Sequence, residues 1–339
     1  MSNLGIWQSY RLRLRRRRWR LRAFRKSREL RNVVNRTDQI KPNDVLLFCT
    51  LRNENIRLEY FLKYYRSIGV DHFFFVDNDS DDGSVQYLAG QKDASVWSTP
   101  ASYKSARFGA DWLNYLQMKY AHDHWILVVD VDEFFIYPFC DTRPLHALTD
   151  WLDATDVRSF GAMLLDMYPK GPIETYNYTS GDNPLEIANW FDSGNYTYKK
   201  NKLLGNLWIQ GGPRARAFFP DTPIDAPALN KIPLIKWRRD YTFDSSTHTV
   251  LPRGLNLVYE QSGGEKASGM LLHTKFLNTF ADKAAQEVQR NQHYAGSREY
   301  SAYVNGMSDD LDLWCNWSER YINWRQLEVL GLMSKGHWA

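Results

Sequence analysis

The sequence predicts an α/β protein built on a mainly parallel sheet flanked by helices. Three observations carry that prediction: long unbroken apolar runs, amphipathic helical stretches between them, and carboxylates or amides where the runs end. A parallel strand is buried on both faces, so it loses the polar–apolar alternation of a one-sided strand.

The elements follow in order. VLLFCT (Val45–Thr50) reads as a buried strand. Leu58, Phe61, Leu62, Tyr65 and Ile68 then fall on one helical face, and Gly69 stops that helix. HFFFVD (His72–Asp77) is a second strand, with a short helix in SVQYLAG after it, and SVWS (Ser95–Ser98) is a third. Phe108, Trp112, Leu113, Leu116 and Tyr120 mark a longer helix that leads into WILVV (Trp125–Val129) as a fourth strand. Leu145–Leu152 is helical, and FGAMLLD (Phe160–Asp166) is the fifth strand. Such sheets bind ligands beyond the carboxyl ends of their strands, which places TLRNEN, DNDSDDGS and DVDEFF on one rim. Residues 170–265 are rich in Gly, Pro, Asn, Tyr and Trp and suggest an irregular half that builds a pocket; helical spacing returns from Phe276. The expected division is a basic extension (1–40), a main domain (41–275) and a C-terminal helical extension (276–339).

The net charge of +4 conceals an asymmetry. Residues 11–31 hold 12 of the 43 Lys and Arg and one of the 39 acids, so the rest of the chain is acidic on balance. A nucleic-acid enzyme spreads basic residues over its working face, so no nucleic-acid partner is expected. The arm suits a peripheral helix on an anionic membrane, with Trp19, Leu21 and Phe24 as apolar grip; a solvated tail and a nucleic-acid arm are its other readings. Cys49, Cys140 and Cys315 lie far apart with no CxxC spacing, which points to a reduced compartment rather than a disulfide framework or zinc site. With no secretory signal and no apolar run long enough to span a bilayer, the expected location is the cytoplasm.

DVDE (Asp130–Glu133) drives carboxylates onto the end of a buried strand. That is costly unless something positive offsets them, and Mg²⁺ or Mn²⁺ shared with substrate phosphates is the usual partner. Solvated strand-end aspartates are the other reading. DNDSDDGS fails the spacing of a calcium loop; its second half reads as a turn with Asp82 or Ser84 capping the next helix, which leaves Asp77 for ligand work. TLRNEN opens a helix whose free N–H groups suit a phosphate, although Asn53 also serves as an ordinary cap.

Taken together, VLLFCTLRNEN, HFFFVDNDSDDGS and WILVVDVDEFF resemble the family 2-like glycosyltransferases of the GT-A fold, in the subgroup whose metal motif reads DVDEF. GGPRARAF (Gly211–Phe218), KIPLIKW (Lys231–Trp237) and LLHTKF (Leu271–Phe276) resemble it too, so the likeness covers about residues 44–276. It implies a GT-A scaffold and transfer of a sugar from a nucleotide-diphosphate donor to a glycan, lipid-linked or polysaccharide acceptor. By position, Thr50, Arg52, Asn53 and Glu54 would line the nucleotide pocket, with Asp77 on the base or ribose; Lys104 is counted with this set. Asp130 would face ribose and metal, Asp132 would ligate the metal, His273 would be the late metal-binding histidine, and Lys275 would meet the diphosphate. Arg214 and Arg216 suit the diphosphate or an anionic acceptor; a solvent-facing pattern on a strand is the alternative.

Inversion by direct displacement needs a general base. No Glu-Asp pair follows GGPRARAF, so Asp166, Asp225, Asp244 and His248 all stand as candidates, Asp166 first because it shares the rim. Two other functions compete: a phosphoryl-transfer enzyme or phosphatase using the DxD carboxylates, and a non-catalytic sugar-nucleotide or polyanion binder. The first expects a small residue and Thr after the second Asp, where this chain has Glu133-Phe134.

Overall fold

The continuous apolar runs form the parallel half of a larger sheet. A computed structural model describes residues 4–259, 265–290, 292, 302–304, 306 and 310–339. Nine strands make the central sheet: β1 (Arg31–Val34), β2 (Val45–Leu51), β3 (His72–Asp77), β4 (Ala94–Ser98), β5 (Trp125–Val128), β6 (Glu133–Ile136), β7 (Ser159–Asp166), β8 (Asn230–Lys236) and β9 (Gly269–His273). Their spatial order is β1-β4-β3-β2-β5-β8-β7-β9-β6. Strands β2 to β5 are mutually parallel, β7 and β9 run with them, and β1, β6 and β8 run against them. The chain is thus mixed α/β with a large, mostly parallel sheet flanked by helices.

Side-chain alternation explains why β2 is apolar throughout. Val45, Leu47, Cys49 and Leu51 pack on one face against Leu58, Phe61, Leu62 and Tyr65 of α2 (Asn55–Ile68). Leu46 and Phe48 point to the other face, where Phe48 stacks on Phe74 at 4.4 Å and meets Trp112 and Leu116 of α4 (Ala110–Tyr120). Burying each such side chain contributes about 1.5–3 kcal/mol, so a polar residue on either side of these strands would be costly. Gly69 ends α2 in the left-handed region at φ 99°, as its position predicted.

Helix α3 (Ser84–Ala89) follows β3, and α5 (Leu145–Ala154) lies between β6 and β7. Asp82 holds the starts of two helices, accepting from Asn55 N at 2.8 Å and Ser84 N at 3.0 Å.

Four sheet strands escaped the sequence reading, β1 among them. β6 is the EFF of DVDEFF, turned back by Asp130–Asp132 to pair antiparallel with β9; β8 and β9 come from motifs recognised by likeness, and β8 lies within the half read as irregular. The first 40 residues are also part of the fold. Helix α1 (Ile6–Lys26) lies on α4, with Arg22 Nε 2.7 Å from Asp111, and β1 extends the sheet edge beside β4. In the C-terminal part, Phe280–Arg290 is helical, Ser318–Arg320 is a strand paired with Trp190–Asp192, and Trp324–Val329 is a short helix. Much of the stretch between them lies outside the described residues.

Candidate functional site

The carboxyl ends of β2, β3, β5, β7 and β9 share one rim, and the reversed strands β6 and β8 begin there. One edge therefore receives Thr50, Asp77, the Asp130–Glu133 turn, Asp166 and His273 from strand ends, and Glu133 and Lys231 from strand starts.

On the β6–β9 side every buried carboxylate meets a cation. His273 stands between two of them: its Nε2 is 3.2 Å from Asp132 Oδ2 and its Nδ1 is 2.7 Å from Asp166 Oδ1. The second Asp166 oxygen accepts from Arg214 Nε at 2.7 Å. Burial alone would lower the His273 pKa, but Asp132 and then Asp166 raise it above the usual histidine value. Burial would raise both aspartates, yet His273 holds Asp132 low, and Arg214 with His273 holds Asp166 low. Lys231 donates to Asp130 Oδ2 at 3.1 Å and to Glu133 Oε1. Burial pushes Glu133 up against the pull of Lys231. Arg57 donates to the Thr274 carbonyl at 3.1 Å, and Thr274 N to the Asp132 carbonyl at 2.8 Å, which ties the β9 exit to the DVDE turn.

On the β2–β3 side polar atoms are left over. Asp77 is 1% exposed; Oδ2 accepts from Ser80 N at 3.0 Å, while Oδ1 has no partner among the described residues. Burial raises its pKa. The Thr50 hydroxyl is likewise buried and unpartnered among the described residues. Buried polar atoms of this kind call for a ligand or ordered water.

The other expected residues are placed as follows. Arg52 Nη1 donates to the Asn78 carbonyl at 2.8 Å, and Asn53 holds the acidic loop, donating N–H to Ser80 Oγ at 2.9 Å and accepting from Asp81 N at 3.0 Å. Glu54 faces Arg57 at 3.4 Å and also meets Lys283. Lys104 is exposed in the turn after β4, and Lys275 lies over the Tyr303 ring at 4.6 Å. Arg214 and Arg216 lie on a helix, Gly212–Phe218, not on a strand. Both are paired inward: Arg214 is 4% exposed on Asp166, and Arg216, partly exposed, makes a two-pronged pair with buried Asp192 at 2.8 and 2.9 Å. Gly211 permits this entry, since a Cβ there would lie 2.0 Å from the Asn195 carbonyl oxygen.

Of the four base candidates, the rim receives only Asp166, whose two oxygens are occupied by His273 and Arg214. His248 is close behind Lys231, accepted at Nδ1 by the Asn230 carbonyl at 2.7 Å; burial and then Lys231 lower its pKa to about 4. Asp244 lies away from the rim under α1, bound by Trp19 Nε1 at 2.7 Å and Arg15 Nε at 2.6 Å. Asp225 is exposed beside Ile224 at the edge of a cleft. That cleft, about 740 Å³, is lined by Tyr198, Trp208, Gln210, Gly211, Arg216 and Ile224 among others, and shares a wall with the Arg214 helix.

Lys231 is the residue the sequence reading passed over. Its signal was present: a cation opening the apolar run IPLI, in a chain where the apolar runs HFFFVD and FGAMLLD close on an aspartate.

Among the described residues no three His, Cys, Asp or Glu side chains converge as a ready-made metal cage. Asp132 and His273 nonetheless form a fitting pair. Two neighbouring ligands about 2.1 Å from one small octahedral ion stand about 3 Å apart, and the observed separation is 3.2 Å. His273 also has the carboxylate support at its far nitrogen that metal-binding histidines carry.

No family model matches the chain. It is similar to a glycosyltransferase family 92 protein of Ricinus communis, 27% identical over 106 residues, which is 29% of this chain and 18% of that protein. A glycosyltransferase family 92 protein of Oryza sativa subsp. japonica is 30% identical over 99 residues, 26% of this chain and 16% of that protein. The matched stretch thus spans less than a fifth of either relative's length. Family 92 is a different glycosyltransferase family from the family 2 that the motifs resemble, so the curated likeness is weak, partial and to family 92.

Proposed function

We propose that this chain is a metal-dependent glycosyltransferase on a GT-A scaffold, moving a sugar from a nucleoside-diphosphate donor to a carbohydrate-containing acceptor. The observation that carries the reading is the line Asp132–His273–Asp166–Arg214 at the rim where Asp77 and Thr50 keep polar atoms unpartnered among the described residues. The partial likeness to two family 92 glycosyltransferases supports the same reaction class.

Asp132 and His273 would hold Mn²⁺ or Mg²⁺, with Asp130 beside them. When bound, such an ion supplies the positive charge against which a diphosphate leaves. The chain's own residues do the positioning. Arg214 fixes Asp166, Asp166 fixes the imidazole through Nδ1, and Nε2 is thereby aimed at Asp132. Lys231 offsets Asp130 and Glu133, so the turn keeps its shape before any ligand arrives. Asp77 Oδ1 would accept an N–H or O–H of the nucleoside, and Thr50 would add a hydroxyl contact. The cleft beside the Arg214 helix offers Trp208 and Tyr198 as flat surfaces for an acceptor sugar ring.

Thermal-shift measurements with a panel of nucleoside diphosphates, each with and without Mn²⁺, test the reading, because a ligand that binds only the folded chain raises Tm. A metal-dependent rise with one nucleotide, followed by transfer from its sugar conjugate, is expected. No metal-dependent rise with any of them would refute it.

A further inference from the structure

Helix α1 has two apolar faces, one buried in the fold and the other largely exposed. Leu12 and Ala23 are buried and Trp19 is partly buried on the inward face, with Trp19 bonded to Asp244 and stacked under Arg107 at 4.2 Å. The arginines on this side are neutralised: Arg15 by Asp244, Arg16 by Asp240 and Arg22 by Asp111. The outward face carries Ile6 at 87% exposure, Tyr10 at 50%, Leu14 at 46%, Leu21 at 51% and Phe24 at 62%. Counted from Ile6 these fall at i+4, i+8, i+15 and i+18, one stripe at 3.6 residues per turn, opposite Leu12, Trp19 and Ala23. Trp7, 79% exposed, borders it.

Charge specifies what covers that stripe. Arg11, Arg13, Arg17, Arg18, Arg20 and Arg25 flank it, and no carboxylate among the described residues pairs with them. Between α1 and α4 lies a cleft of about 580 Å³ lined by Arg17, Arg20, Leu21, Phe24, Lys119 and Arg239 among others, in which Arg20 Nε is buried without a partner among the described residues. Exposed apolar rings between unpaired guanidiniums match the boundary of an anionic bilayer, where rings enter the acyl region and cations meet phosphate. A nucleic-acid surface would use the arginines but gives no reason for exposed Ile6, Leu14 and Leu21.

We propose that the outward face of α1 docks the folded enzyme on an anionic phospholipid surface, with phosphate headgroups in the Arg17–Arg20–Lys119–Arg239 cleft. No helix among the described residues is long and apolar enough to cross a membrane, so the contact is one of lying on the surface. The inward face stays docked throughout; the helix need not leave the body to bind.

Co-sedimentation of the full chain with vesicles of phosphatidylcholine, or of phosphatidylcholine with 30% phosphatidylserine, tests this. Binding to the second vesicle and not the first is expected, weakening with salt. The triple variant L14S/L21S/F24S keeps every charge and the inward contacts of Leu12, Trp19 and Ala23, so its circular dichroism should match wild type and its Tm should fall by no more than a few degrees, while its vesicle affinity falls at least tenfold. R17Q/R20Q should lose affinity by a similar factor. Equal binding by L14S/L21S/F24S and wild type overturns the proposal. So does preference for duplex RNA over anionic vesicles, or absence of vesicle binding at low salt.

Discussion

Asp77 and Asp166 end parallel strands of the same sheet, and each is 1% exposed, yet their carboxyls move in opposite directions. Burial raises Asp77, which receives hydrogen bonds from its own turn but meets no cation among the described residues. Burial would raise Asp166 as well, but Arg214 and His273 reverse it. The contrast separates the rim into two kinds of site. The β7–β9 end is internally neutralised before any ligand comes. The β2–β3 end keeps an unmet acceptor and an unmet hydroxyl, as a binding pocket does.

The largest expected effect comes from the neutralised end. Asp132→Asn keeps the shape but removes the charge that pairs with His273, and should cut sugar transfer by about 10²–10³-fold. It should also abolish any Mn²⁺-dependent rise in Tm; unchanged turnover would remove Asp132 from the site. Arg214→Met leaves Asp166 buried and short of its strongest partner, and should cost about 3–5 kcal/mol in urea unfolding. Adding Asp166→Asn in that background should recover part of the loss, because the orphaned charge goes too.

At the other end the signs reverse. Asp77→Asn removes a buried charge that no cation offsets, so stability at neutral pH should hold or rise. Nucleotide affinity should meanwhile fall about tenfold, the scale of one hydrogen bond to a charged group. A loss of several kcal/mol of stability would show that Asp77 is a structural residue after all.

Acid titration sharpens the same comparison. The folded pKa of Asp166 lies below its unfolded value, so its stabilisation is present above about pH 4 and lost as pH falls through the folded value. The folded pKa of Asp77 lies above its unfolded value, so its penalty is present at neutral pH and relieved on acidification. Unfolding free energy measured from pH 7 to 3 should therefore fall less steeply in Asp166→Asn and more steeply in Asp77→Asn than in wild type. The smallest effect expected is that of Thr50→Val: stability within about 1 kcal/mol of wild type and nucleotide affinity reduced only a few-fold.

The regular half of the protein was legible because its signals are local. Leu58 to Ile68 announce a helix, Gly69 its end, and β2, β3, β5 and β7 appear as uninterrupted apolar runs. The strand-end carboxylates were legible for the same reason: a charge after a buried run is conspicuous in one dimension. β8 and β9 were harder, since each follows irregular chain and inserts between strands far away in sequence. The alternative of a strand for Arg214 and Arg216 arose because their alternation within GGPRARAF mimics a period of two, while Gly212 in fact starts a helix.

By itself, then, the sequence determined a two-sided sheet, the rim at its strand ends, and a basic arm that holds 12 of the 43 Lys and Arg. Only the tertiary structure decided which charges meet. Lys231 reaches Asp130 across 101 residues, His273 reaches Asp166 across 107, and Arg214 reaches Asp166 across 48. No local period encodes such pairs; they follow from strand order and from three reversed strands in a parallel sheet. The same holds for α1, where twelve basic residues in one arm looked like a single feature until packing on α4 divided them into neutralised and free faces. A buried charge has to find a counter-charge wherever the fold supplies one, and the fold supplies it from distant chain.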